Sequence, residues 1–100
     1  MLTKLNHGDY AEQINTKFRV VETAEPMEIE LAEISELKRL GAQEIFSLIF
    51  TGDKNFFLPQ RLYELEHETL GRDSLFLVPV GEEGDRIKYE SVFNRLKKSE

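Results

Sequence analysis

Glu44-Ile45-Phe46-Ser47-Leu48-Ile49-Phe50-Thr51 carries the strongest structural signal in the chain. Phe46, Leu48 and Phe50 alternate with Ser47, Ile49 and Thr51, the two-residue period of a pleated strand. The run is also rich in aromatic and β-branched side chains, which suit a half-buried sheet surface, so it reads as a central strand. Outward from it, Lys17 to Thr23 sets Phe18 and Val20 on one face and Lys17 and Arg19 on the other. Arg61 to His67 places Tyr63, Leu65 and His67 opposite Glu64 and Glu66. Leu75 to Val80 is apolar on both faces, which predicts cover on both sides. Pro79 has no N–H to give to a ladder and restricts pairing there to an edge or a bulge. Ile87, Tyr89 and Phe93 share a last alternating face, and Gly81 to Asp85 reads as the hairpin turn leading into it.

The breaks between these runs are regular. Gly8-Asp9, Glu25-Pro26, Gly41, Gly52-Asp53, Leu58-Pro59, Gly71 with Asp73, and Gly81 to Asp85 punctuate the chain at the spacing of a sandwich or barrel rather than of βαβ units. Met27 to Leu40 reads two ways. Met27, Ile29 and Leu31 alternate with Glu28 and Glu30 as in a strand, while Leu31, Ile34, Leu37 and Leu40 fall at three-residue steps, in a composition that suits a helix with Gly41 as its C-cap. Steps of three drift around a 3.6-residue helix, which favours a strand with a bulge near Ala32-Glu33 and a Lys38 to Gln43 loop into the next strand. Asp9 to Ile14, with Tyr10 and Ile14 four apart, reads as a short helix capped at Gly8 or Asp9. The expected fold is all-β and mainly antiparallel, a small barrel or sandwich of about five to seven strands with a short N-terminal helix. Its core is expected at Phe18, Ile29, Leu31, Phe46, Leu48, Phe50, Tyr63, Leu65, Phe76, Val78, Tyr89 and Phe93.

The 100 residues suit one domain, with a core from about residue 5 to 94 and fraying ends at 1–4 and 95–100. Seven Phe and three Tyr supply the large apolar side chains that such a short chain needs. The absence of cysteine removes disulfides, thiolate metal sites and thiol nucleophiles, and agrees with a reducing compartment. Met1 to Tyr10 carries Lys4, His7 and Asp9 with no apolar run, and no stretch approaches the ~18 apolar residues of a membrane span. The expected location is cytoplasmic. A formal charge of −6, spread along the chain, repels phosphate backbones and anionic lipid, so neither nucleic acid nor membrane is an expected partner. Arg95, Lys97 and Lys98 form the sole basic cluster and read as a solubilising terminus.

Taken together, Phe46-Ser47-Leu48-Ile49-Phe50, Tyr63-x-Leu65-x-His67-x-x-x-Gly71, Leu75-Phe76-Leu77-Val78-Pro79-Val80 and Tyr89-x-x-Val92-Phe93-Asn94 resemble a family of small bacterial proteins known as a domain of unknown function. The resemblance covers nearly the whole chain. It implies an all-β domain with a short N-terminal helix and a setting beside phage-tail-like proteins, and it brings no catalytic residues with it.

The chemistry in the chain is sparse. His67 lies on the inward face with Tyr63 and Leu65. It can be read as a general base or ligand contact oriented by Glu66, Glu68 or Asp73, or as a half-buried histidine whose ring bonds a backbone carbonyl near the turn. Glu66 and Glu68 point away from it along a strand, which favours the second reading. His7 and His67 lack the spacing of a metal pair, and Glu82-Glu83 with Asp85 does not match a calcium loop, so no metal or cofactor is expected. The glycines fit neither nucleotide-binding fingerprint, Gly52-Asp53-Lys54 reads as a turn, and Ser47, Ser74 and Ser91 lack a nucleophile elbow. Phe56-Phe57, followed by Leu58-Pro59, sits in an expected loop, where it either folds back to plug a barrel end or forms an exposed patch for a partner chain. Leu2 and Leu5 raise the same question. The candidate binding residues are Phe56, Phe57, Tyr63 and His67. The expected function is a non-catalytic interaction or assembly-accessory module whose partner is another protein. Behind it stand a small-ligand barrel with a pocket near Tyr63 and His67, then an enzyme using His67.

Overall fold

A computed structural model describes residues 5–21 and 27–96. The expectations that fall on Leu2, Glu25-Pro26, Lys97 and Lys98, and on fraying at 1–4 and 97–100, lie outside those residues. The alternating runs become Lys17–Val20 (β1), Met27–Ile34 (β2), Lys38–Leu40 (β3), Gln43–Asp53 (β4), Arg61–His67 (β5), Gly71–Glu83 (β6) and Arg86–Leu96 (β7). Every pairing is antiparallel. The order β1-β2-β4-β7-β6-β5 returns to β1 and closes a six-stranded barrel. Closure leaves few unpaired sheet edges to aggregate. β3 is an additional strand on β4, alongside Gln43 to Ile45. The central position expected of β4 holds, since β2, β3 and β7 all pair with it.

Met27 to Leu40 forms two strands, β2 and β3, joined by Ser35 to Leu37, and not a helix. β2 pairs with both β1 and β4, and its register with β4 shifts between Leu31 and Glu33, where the bulge was expected. The bulge lets Leu31 and Ile34 both turn toward the core from one strand. The expected Lys38 to Gln43 loop is instead β3 and a tight turn at Gly41-Ala42. Pro79 sits inside a paired strand because β6 bulges between Pro79 and Gly81. The turn expected over Gly81 to Asp85 contracts to Gly84-Asp85, with Gly81 to Glu83 continuing β6.

The largest correction concerns the face of β6. Phe76 and Val78, expected inside, point outward, and Leu75 and Leu77 are buried instead. Register explains it. Tyr63 pairs with Leu75 and Arg61 with Leu77, and directly opposed residues share a face. Tyr63 faces in, so Leu75 must also. The expected cover over both faces of this run is absent, since Phe76 and Val80 are exposed.

Side chains close both mouths of the barrel. At one lies helix His7–Ala11 (α1), five residues long and too short to persist alone. The expected helix at Asp9 to Ile14 therefore begins two residues earlier, and its cap is Asn6. The Asn6 side chain accepts from the Asp9 N–H at 2.8 Å, and the Asp9 carboxylate accepts from the Asn6 N–H at 3.0 Å. This reciprocal box is what Asp9 contributes. From α1, the buried Tyr10 donates its hydroxyl to Asp73 at 3.2 Å and lies 5.5 Å from the Phe93 ring. His7 donates Nε2–H to the Ser35 carbonyl at 2.8 Å, with its ring edge-on to Phe46.

The opposite mouth is closed by the loop between β4 and β5. Leu58 is buried, and its N–H donates to the Tyr89 hydroxyl at 3.0 Å. Tyr63 donates to the Pro59 carbonyl at 2.6 Å. Burial raises the Tyr89 pKa, the Leu58 N–H partly offsets that rise, and Tyr63 adds to it. Between the mouths Gly52 faces inward. A Cβ there would come within 3.1 Å of Ile29 Cγ2 and 3.2 Å of Tyr89 Cε2, so glycine admits the tyrosine ring.

Candidate functional site

His67 ends β5 and is wired into the turn that follows. Its Nδ1 accepts the N–H groups of Thr69 at 3.0 Å and Leu70 at 3.1 Å. An Nδ1 that accepts leaves the ring proton on Nε2, so Nε2 donates to Thr16 Oγ1 at 2.8 Å, and the Thr16 hydroxyl donates to the Gln13 carbonyl at 2.7 Å. The ring packs 4.4 Å from Phe18. Burial pushes its pKa down, against the opposing charge of Glu68. The partners are backbone amides rather than the expected carbonyl. No carboxylate orients the ring: Asp73 accepts from Tyr10 and from the Ser74 N–H, while Glu66 pairs with Arg19 and with Arg72. With its basic lone pair already accepting two bonds, His67 is built to hold the turn Glu68 to Leu70.

Beside it an open cleft of about 650 Å³ runs between Gln13, Thr16, Lys17, Arg19, Glu66 and Thr69. Tyr63, the other inward candidate, is not part of it. Its hydroxyl is bound at the Pro59 mouth while the imidazole is bound to Thr16 near the α1 mouth, so the two do not converge on one pocket. Among the described residues no group of three or more His, Asp or Glu is placed to hold a metal ion. No helix among them is long and apolar enough to cross a membrane.

The Phe56-Phe57-Leu58 stretch divides between its two readings. Leu58 plugs the barrel, and both phenylalanines stay outside and exposed. Phe56 borders a second, smaller cleft of about 240 Å³ with Met27, Ile29 and Arg86.

A further apolar surface was missed by the sequence reading. Leu62 is 53 % exposed, Phe76 46 % and Val92 57 %. Leu62 and Phe76 are register partners on β5 and β6. Val78, two residues on from Phe76, registers with Glu90 of β7, which puts Val92 on the same outer face. A signal for two of them lay in the sequence. Leu62 is out of phase with Tyr63, Leu65 and His67, and Val92 is out of phase with Tyr89 and Phe93. An apolar residue on the wet face of an otherwise strict alternation has no packing reason to be there.

Residues 5–93 match the family model described as a domain of unknown function, DUF6916. The chain belongs to this family. No curated protein and no solved structure matches it significantly. For this DUF6916 domain the site must therefore be argued from its own surface, and that surface offers packed mouths, a structural histidine and exposed apolar residues on the outer face, in the Phe56-Phe57 loop and at Leu40 and Val80.

Proposed function

We propose that this domain is a non-catalytic protein-interaction module of the cytoplasm, an accessory piece of a larger assembly such as a phage-tail-like particle. One observation carries the reading: Leu62, Phe76 and Val92 stand in water on one outer face while smaller needs of the core, such as Leu58, are met from loops. Exposed aromatic and aliphatic side chains on neighbouring strands cost solubility and mark contact surfaces. The interior supports the same view, because Tyr63, Tyr89 and Tyr10 fill it and bond to protein groups. Phe56 and Phe57 at one mouth extend the contact surface. The test is capture with the intact chain from cells that express it, run beside Phe76→Ser/Val92→Ser and Phe56→Ser/Phe57→Ser. A protein retained by wild type and lost by a folded variant supports the reading. A strictly monomeric chain that retains the same proteins as both variants refutes it.

A further inference from the structure

The charges around the outer face are unevenly satisfied. Glu64 and Glu66 are held by Arg72, with Arg19 also on Glu66. Glu44 has Arg39, Glu82 has Lys54 and Glu83 has Lys88. Glu33 and Glu90, like Glu28, Glu30 and Glu36, have no cation within ion-pair reach among the described residues, and what sets these two apart is their register. Both register with the same residue: Ile49 of β4 opposes Glu33 of β2 on one side and Glu90 of β7 on the other. Strand spacing puts the two carboxylates roughly 10 Å apart, one on each side of an apolar side chain. Glu90 also opposes Val78 of β6. The row from Glu33 through Ile49 and Glu90 to Val78 is thus acidic and apolar by turns. About 7 Å along the strands lies the row of Val92, Phe76 and Leu62.

We propose that this face docks a cationic amphipathic helix of another protein, with apolar side chains over Phe76 and Val92 and a lysine or arginine over Ile49 between Glu33 and Glu90. The proposal rests on the interaction reading above and names the partner's chemistry. The two rows lie about one helical turn apart along the strands, so residues i and i+4 of a helix laid parallel to the strands reach both. A cation there relieves two like charges that lack any counter-charge of their own, and it brings the specificity that electrostatic complementarity gives an apolar contact. A second copy of the chain suits the face less well, since each copy carries a net −6. Anionic lipid meets the same repulsion.

The probe is a labelled, amidated helical peptide of leucine and lysine, with a counterpart carrying glutamate for every lysine, titrated with the full chain by fluorescence anisotropy. The lysine peptide is expected to bind and the glutamate peptide not to. Phe76→Ser/Val92→Ser should weaken binding about tenfold or more, as loss of central apolar anchors does. Glu33→Gln/Glu90→Gln should weaken it roughly three- to tenfold. The control Glu82→Gln/Glu83→Gln, with identical loss of charge at the β6–β7 hairpin, should leave it unchanged. Equal weakening by the control, or none by the face variants, means diffuse attraction to an acidic protein and overturns the proposal. So does absence of binding. Self-association of the wild-type chain that Phe76→Ser abolishes would overturn the cationic partner while leaving the interaction reading standing. A chain that binds neither peptide, stays monomeric and retains no protein through this face would remove both.

Discussion

Replacing His67 by alanine separates a turn-holding histidine from a chemical one. The substitution strips the acceptor from the N–H groups of Thr69 and Leu70 and the donor from Thr16, and it removes a ring packed on Phe18. A hydrogen bond is worth about 1 kcal/mol net. The turn is partly open, so water recovers part of what is lost, and the expected cost is about 2–3 kcal/mol. In a domain of this size that lowers Tm by roughly 8–24 °C. His67→Asn should cost about half as much, since a side-chain amide oxygen can accept N–H bonds from the residues that follow it. The pH dependence carries its own sign. Burial lowers the folded pKa of His67, so the unfolded chain takes up the proton first as pH falls below the ordinary value of about 6.5. His67 stability is therefore fully present above that value and is lost as pH drops toward the lowered one, at up to about 1.4 kcal/mol per pH unit. Urea unfolding at pH 7.5, 6 and 5 measures both effects (conditions chosen to bracket about 6.5). A His67→Ala protein within about 0.5 kcal/mol of wild type, or one keeping the wild-type slope below about pH 6.5, would refute this wiring of the turn.

Other expectations follow from the same packing. Gly52→Ala sets a methyl against Ile29 and Tyr89 and should destabilise by about 1–3 kcal/mol in chemical denaturation. Tyr10→Phe keeps the ring on Phe93 but removes the hydroxyl from buried Asp73, and should cost about 1–2 kcal/mol. Hydrogen exchange should then quicken first at α1. Leu58→Ala opens the mouth over Tyr89 and should cost about 2–4 kcal/mol, with near-ultraviolet circular dichroism reporting the loosened tyrosine.

Much of the fold was legible because the strands obey strict alternation wherever one face is dry. Arg61 to His67 was read with its observed limits, and the bulge at Leu31 to Glu33 was visible as a break in phase between Leu31 and Ile34. The run Leu75 to Val80 was not legible by the same rule, since an apolar stretch has no internal phase. Its phase is inherited from β5 through the Glu68 to Leu70 turn, where Gly71 takes φ +83 and pairs with His67. From that pair onward, odd residues oppose odd residues, so the inward Tyr63 and Leu65 force Leu75 and Asp73 inward. The four-residue spacing of Tyr10 and Ile14 points to a helix that starts two residues later than the observed His7. The capping box of Asn6 and Asp9 fixes the start instead.

The site was harder to read than the fold because the residues with chemistry are not the residues with surplus exposure. His67 draws notice as the one histidine on an inward face, yet both of its nitrogens are already used by the backbone turn and Thr16. Leu62, Phe76 and Val92 have no chemistry beyond apolar area, and only their register shows that they gather on one side of the barrel. A closed barrel has already spent its backbone groups on its own ladders, so it recognises a partner chiefly through the side chains of its outer face. On this barrel the apolar row of Leu62, Phe76 and Val92 lies next to the row in which Ile49 stands between Glu33 and Glu90.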